Sequence, residues 1–296
     1  MVVIFTPSSP PLWRQANYPL TKQMNRNSVS TGKVTLVTGA SSGIGRQIAQ
    51  HLAQRGARVF GTARNPQTAQ PVPGVEFVRM DVTDDTSVSE ALREIAQKAG
   101  PVEVLVNNAG YGLTGALEET SLQEARDQFE TNFFGVVRVT NAVLGGMRQA
   151  GYGRIVNISS VVGFMPAPFM GMYTASKHAV EGYTETLDHE IRQFGLRAAL
   201  VQPSYTKSNI NQNEKAAQTH LGAYAVQRKR MHEVVSKGVK NGDEPQVVAE
   251  AVWHAATAKF PRLRYAVGKG ALLSRLRRFA PIAFFDWAIR KESKLA

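Results

Sequence analysis

The chain has 296 residues, enough for one large α/β domain or two small ones, and 43% of them are apolar, enough for a sizeable core. It has no cysteine, which excludes disulfides, zinc–thiolate sites and thiol nucleophiles, and its six histidines show no metal-ligand spacing. The net charge of +12 is uneven: residues 1–75 carry eight Lys/Arg and no acid, residues 259–296 carry ten against Asp286 and Glu292, and the stretch between is net acidic, which is not the pattern of a nucleic-acid binder.

Residues 1–32 hold four prolines, many hydroxyl and amide side chains and no hydrophobic period. We expect a disordered tail, or an extension upstream of a chain that starts at Met24; a basic, acid-free targeting peptide is the alternative. From Lys33 strands and helices alternate. The apolar runs 34–37, 58–60, 75–78, 102–106, 154–158, 196–201 and 265–267 read as strands. Segments 43–55, 87–99, 121–149, 171–194 and 246–258 read as helices, and 208–240 as a polar helical stretch poor in core residues. This alternation predicts an α/β fold: a Rossmann-type, doubly wound parallel sheet of about seven strands with helices on both faces, in a single domain. We expect it to span residues 33–270, followed by a basic amphipathic tail over 271–296. The longest apolar run is far short of a membrane span.

Between the first strand and first helix stands Thr38-Gly39-Ala40-Ser41-Ser42-Gly43-Ile44-Gly45. Glycines there permit a tight turn, close approach of a pyrophosphate and close helix–strand packing, with the helix N-terminus facing the phosphates. An ordinary βα loop with incidental glycines is the alternative. An NAD-binding fold of this kind usually carries an acid near the end of its second strand. Residues 58–65 hold none, and Arg64 stands where a guanidinium can grip a 2′-phosphate. The expected cofactor is NADP(H).

Tyr173 and Lys177 lie one helical turn apart on one face, so a nearby ammonium can lower the phenol pKa and make Tyr173 a proton donor or acceptor. Ser160 precedes them across a loop bearing Pro and Gly, and its hydroxyl could bond a substrate oxygen beside the phenol. A buried tyrosine beside a snorkelling lysine is the plainer reading of these two residues taken alone.

Taken together, the glycine turn at 38–45, Asp81-Val82, Asn107-Asn108-Ala109-Gly110, Asn132, Ser160, Tyr173 and Lys177 closely resemble the classical short-chain dehydrogenase/reductase family, over about residues 33–210. The resemblance implies that Tyr173 is the general acid/base, that Lys177 lowers its pKa and binds the nicotinamide ribose, and that Ser160 orients the substrate oxygen. It implies that Asn132 holds a water relaying protons to Lys177. Gly39, Ser41, Ser42, Gly43, Ile44 and Gly45 would meet the pyrophosphate, Asp81 and Val82 the adenine, and Asn108, Ala109 and Gly110 the adenosine ribose. Pro203, Thr206 and Ser208 would meet the nicotinamide. There the run Pro203-Ser204-Tyr205-Thr206-Lys207-Ser208 departs from the family's Pro-Gly-x-x-x-Thr; Ser208 keeps the hydroxyl that would bond the carboxamide, and Thr206 would offer its backbone.

The implied activity is an NADP(H)-dependent carbonyl reductase or alcohol dehydrogenase that needs no metal, leaning toward the hydroxysteroid- and retinol-dehydrogenase-like members. A non-catalytic NADP(H)-sensing or scaffold protein is the rival. The apolar loop 164–170, Met172, Tyr111 and Leu113 suggest a small hydrophobic carbonyl or alcohol substrate, or else core packing against 208–240. A homodimer or homotetramer through the long helices and a cytoplasmic location are expected. In the tail, Leu272, Leu276, Phe279, Ala283 and Trp287 recur at helical spacing beside Arg275, Arg277 and Arg278, with Pro281 expected to break the helix. The tail is expected to fold over the substrate mouth or a partner subunit, in preference to an anionic membrane surface.

Overall fold

The computed structural model describes residues 32–207, 214–268, 277 and 281–293. Short runs rich in Val, Leu and Ile form the main sheet: β1 (Val34–Val37), β2 (Arg58–Ala63), β3 (Val75–Arg79), β4 (Val104–Asn107), β6 (Gly153–Ile158), β7 (Leu196–Gln202) and β9 (Arg264–Ala266). All seven are parallel, in the order β3-β2-β1-β4-β6-β7-β9. Successive side chains leave a strand on opposite faces. Leu36, Leu105 and Ile155 therefore pack beneath α2 (Asp85–Ala99), α4 (Gly135–Ala150) and α5 (Gly171–Ile191). Their neighbours Val37, Val106 and Val156 pack beneath α1 (Gly43–Gln54) and α7 (Pro245–Thr257). Burial on both faces is why these strands read as unbroken apolar runs instead of alternating ones. The result is the single doubly wound Rossmann domain expected from the sequence.

The differences have local causes. Helix α2 begins at Asp85, two residues earlier than expected, because the Asp84 carboxylate caps it by accepting from Thr86 N and Ser87 N. The expected helix 121–149 is α3 (Leu122–Phe129), opened by a Ser121/Glu124 capping box, then a π-turn at Glu130–Phe134, then α4. A second, two-stranded parallel sheet of β5 (Gly112–Thr114) and β8 (Glu214–Ala216) was not expected; three residues are too few to show a period. The stretch after it forms α6 (Ala225–Lys240), and it is not poor in core residues: Met231, Val235 and Val239 are buried.

In the tail, Arg277 is helical, Pro281 is not, and α8 (Ile282–Ser293) begins directly after the proline. Residues 1–31 of the tail expected over 1–32, and Ser208, Leu272, Arg275, Leu276, Arg278 and Phe279, lie outside the described residues.

Candidate active site

The strand order reverses between β1 and β4, and a crevice opens there at the carboxyl ends of the strands. The turn from β1 into α1 forms one wall. Gly39 and Gly43 have φ of +64° and +55°, a region side chains rarely occupy. A methyl group on Gly45 would stand 2.3 Å from both Asn108 Nδ2 and the Gly39 carbonyl oxygen. The crowding is functional for the turn: Asn108 Nδ2 donates to the carbonyls of Thr38 (2.9 Å) and Gly39 (3.1 Å). Thr38 Oγ1 in turn accepts from the backbone N–H groups of Asn108 and Ala109, each at 3.0 Å. What remains facing the crevice is main chain and the N-terminus of α1. Its N-cap, Ser42, makes no side-chain cap bond, and its first turn has no acid. Unpartnered N–H groups at the positive end of a helix dipole attract phosphate. Nothing in this cradle obstructs a dinucleotide pyrophosphate, and the glycines leave the room it needs.

Farther along, Arg64 and Asp81 border the crevice just past β2 and β3. Burial pushes the Asp81 pKa up, but hydrogen bonds from Thr83 and the charges of Arg64 and Arg79 outweigh it and leave the carboxyl below its ordinary value. Arg64 is exposed at the rim. Arg46, another cation near the turn, is occupied elsewhere and donates to the carbonyls of Gln70 (2.6 Å) and Pro71 (2.9 Å).

Helix α5 buries Lys177, Val180, Thr184, Leu187 and Ile191, three or four residues apart, with Ser176 beside Lys177. Lys177 Nζ donates to the Ile158 carbonyl at the end of β6 (2.8 Å) and lies 5.8 Å from the centre of the Tyr173 ring. Burial lowers the Lys177 pKa to about 8, against an opposing pull from Glu181. Ser160, directly after β6, accepts from Val162 N (3.3 Å) and donates to the Pro203 carbonyl (3.4 Å), and it borders the same crevice as Tyr173. The sequence suggested that Lys177 lowers the phenol pKa. In the structure burial dominates and raises it, and the group that pulls it back is the Ser160 hydroxyl.

Asn132 sits on the π-turn, fully buried. Its Oδ1 accepts from Tyr111 N (3.0 Å), and its Nδ2 donates to the Tyr111 carbonyl (2.9 Å) and Ser176 Oγ (3.3 Å). It ties the loop after β4 to α5. π-turns recur at functional positions because they re-aim a side chain within a helix.

These groups share one cavity of about 1090 Å³. One end is the glycine cradle. The other is an apolar chamber walled by Met165, Pro166 and Met170, by Met231, Val235 and Val239 of α6, and by Phe285, Ala288 and Ile289 of α8. Phe169 in the covering loop has φ of +61°, a strained conformation for a non-glycine residue, and its ring meets Tyr224 edge-on. The α6 side is anchored by Glu119. This carboxylate, shut off from water, pairs with Arg228 and accepts from the N–H groups of Ala116 (3.0 Å) and Leu221 (2.8 Å).

A family model described as short chain dehydrogenase matches residues 33–219. The chain belongs to the short-chain dehydrogenase family. It is thus an oxidoreductase-family protein on that family's Rossmann fold. Among its relatives, a 3-ketodihydrosphingosine reductase of Bacteroides thetaiotaomicron is 37% identical over 262 residues, 87% of this chain and 97% of that one. An NADPH-dependent 3-dehydrocapnine reductase of Ornithobacterium rhinotracheale is 32% identical over 279 residues, 88% and 98% of the two chains. A short-chain dehydrogenase of Burkholderia phymatum, solved in complex with NAD, superposes with a TM-score of 0.73 at 28% identity over 84% of this chain and 93% of its own.

Of the residues singled out from the sequence, Gly39, Ser41, Ser42, Gly43, Ile44, Gly45, Arg64, Asp81, Val82, Asn108, Ala109, Gly110, Ser160, Tyr173, Lys177 and Pro203 border the one cavity. Asn132 stands behind its wall. Thr206 is buried and its hydroxyl donates to the Ser204 carbonyl (3.1 Å). The sequence reading missed Thr38, whose hydroxyl laces the two dinucleotide-side loops, and the whole α6 and α8 wall. Met231, Val235 and Val239 at i, i+4, i+8 were a visible signal. The tail stripe was misjudged: Ala283 and Trp287 are exposed, and the inward stripe is Phe285, Ala288 and Ile289. The helix restarts after Pro281, so a stripe counted across the proline loses phase.

Proposed function

We propose that the protein is an NADP(H)-dependent carbonyl reductase or alcohol dehydrogenase, interconverting a hydrophobic ketone or aldehyde and its alcohol. One observation carries this reading: Ser160, Tyr173 and Lys177 converge where the backbone cradle meets the apolar chamber within a single cavity.

The dinucleotide, when bound, supplies or accepts the hydride. The chain's own residues do the rest. Backbone N–H groups of Ser41–Gly45, at the start of α1, would hold the pyrophosphate, and Arg64 would meet a 2′-phosphate that an acid would repel. The apolar chamber holds the organic part of the substrate and excludes water. Ser160 Oγ bonds the carbonyl oxygen and stabilises the charge that develops on it. In reduction the Tyr173 hydroxyl gives its proton to that oxygen as it becomes an alkoxide; in oxidation the phenolate removes it. Lys177, with a pKa of about 8, can carry a proton behind the phenol near neutral pH. Asn132 positions this assembly through Ser176, whose hydroxyl donates to the Tyr173 carbonyl (2.7 Å).

The preference for NADP(H) rests on Arg64 and the acid-free β2, and the NADPH-dependent relative supports it, while the NAD complex of another relative does not. For assembly we propose a homodimer or homotetramer through α4 and α5, supported by the exposed Phe134 and Phe194 beside them.

The test is Tyr173→Phe, which removes only the ionisable hydroxyl. NADPH oxidation with a panel of ketones and aldehydes should slow by about 10²-fold or more, while NADPH still binds by fluorescence titration. A variant that turns over any accepted ketone at the parental rate sinks the assignment of Tyr173.

A further inference from the structure

Helix α8 (Ile282–Ser293) carries apolar side chains on more than the face it buries. Phe285, Ala288 and Ile289 wall the substrate chamber. Packing on the protein accounts for them. It does not account for Ile282 and Trp287, which are 76% and 56% exposed, and it accounts only in part for Phe284, which is 48% exposed.

We propose that this outer side of α8 docks the protein on an anionic lipid membrane, and that the carbonyl substrate is a lipid with a long aliphatic chain that enters the chamber from that membrane. The substrate half of the proposal rests on the carbonyl-reductase reading; the docking half does not.

Four observations point the same way. Phe284, Trp287 and Lys291 recur at i, i+3 and i+7 and form one stripe, with the two rings 6.1 Å apart and Lys291 Nζ 4.8 Å from the Trp287 ring. Aromatic rings beside lysine and arginine suit the headgroup boundary, where the ring sits among the upper acyl carbons and the cation reaches the phosphates. Second, the charge has the matching sign: the C-terminal stretch 259–296 is basic, with ten Lys/Arg against Asp286 and Glu292, and α8 itself carries Arg290, paired with Asp286, and Lys291 beside Trp287.

Third, length fixes the mode. Twelve residues make a helix of about 18 Å, against a hydrocarbon core of about 30 Å, and among the described residues no helix is long and apolar enough to cross a membrane. This helix can lie on a bilayer and cannot span it. Fourth, Phe284 belongs to both sides. It is half-exposed on the outer stripe and also borders the cavity. The chamber therefore has an apolar edge on the docking side through which an acyl chain would enter. The charged lining of the cavity lies on other elements, Arg64 and Asp81 at the dinucleotide side and Glu214 and Lys215 on β8.

The experiment is co-sedimentation of the full chain with phosphatidylcholine vesicles, with and without phosphatidylglycerol. The protein should bind the anionic vesicles and bind the neutral ones more weakly. Two variants are made outside the cavity wall, Ile282→Ser/Trp287→Ser and Arg290→Glu/Lys291→Glu. Each should lower partitioning onto anionic vesicles by about tenfold or more. Melting temperature and turnover of a short water-soluble ketone should stay at parental values, and turnover of a long-chain ketone presented in vesicles should fall. A parent protein that stays in the supernatant with anionic vesicles overturns the proposal. So does a serine variant that partitions like the parent, or one that changes the oligomeric mass by size exclusion, which would make the stripe a subunit contact. If the partitioning pattern holds but no carbonyl is reduced, the docking surface stands and the substrate half falls with the reductase reading.

Discussion

Lys177 gives the sharpest quantitative test, because its environment costs stability in a pH-dependent way. Its amine is buried and its pKa lies near 8, against an ordinary value of 10.5. The unfolded chain keeps the proton up to pH 10.5, while the folded chain gives it up near 8. Between those values the unfolded state binds more protons, so stability rises with pH in this window and is lost as pH falls through it. At pH 7 the charged lysine costs the fold about 3 kcal/mol, at 1.36 kcal/mol per pKa unit. Lys177→Met keeps most of the volume and has nothing to titrate. Urea unfolding of parent and variant at a series of pH values isolates the effect, since every other group cancels in the difference. From pH 7 to pH 9 the parent should gain about 1.4 kcal/mol on the variant. Parallel curves would mean that Lys177 titrates normally, and a parent that loses ground with rising pH would mean that its pKa is raised. Either result removes the proton-carrying role given to it.

Three further outcomes follow from the geometry. Arg64→Ala should raise the KM for NADPH about tenfold, the scale of a lost charge-assisted hydrogen bond, and leave that for NADH nearly unchanged; equal weakening of both would make Arg64 structural. Gly45→Ala puts a methyl 2.3 Å from Asn108 Nδ2 and the Gly39 carbonyl, so the turn must open; NADPH fluorescence titration should show affinity down by about tenfold or more, and an unchanged Kd would refute the cradle. Glu119→Gln breaks the pair with Arg228 and weakens the anchor of the α6 side, with an expected loss of about 2 kcal/mol in urea unfolding and faster proteolytic cutting near residues 218–224; identical cleavage rates would show that the pair does not hold that segment.

How far the fold could be read in advance depended on whether its cause was local. Seven apolar runs and the helices between them are each a statement about neighbouring residues, and the sheet follows from them. Strands β5 and β8 are not local in this sense. Each is three residues long, and Leu113 reaches its partner Lys215 only across most of the fold. The π-turn at Glu130–Phe134 left no mark either, since its residues have ordinary helical character and the extra residue per turn arises from what packs there.

Within the site, the legible half and the illegible half differ in what they are made of. The dinucleotide end is built from backbone. A main-chain approach tolerates only glycine at Gly39, Gly43 and Gly45, so the constraint is written directly in residue identity. The acid–base centre is nearly as legible, because a phenol and an amine one helical turn apart are few in any chain. The substrate end is built from side chains whose only requirement is to be apolar and roughly the right size. Met231, Val235, Phe285 and Ile289 could be exchanged for other apolar residues without loss of the chamber, and for that reason nothing in their identity announces it. What makes them a wall is that α6 and α8, more than forty residues apart in sequence, meet over the same opening. Specificity of this kind belongs to the packing of helices and not to a motif, and it is why the chemistry of this chain can be read from its letters while the shape of its substrate needs the fold.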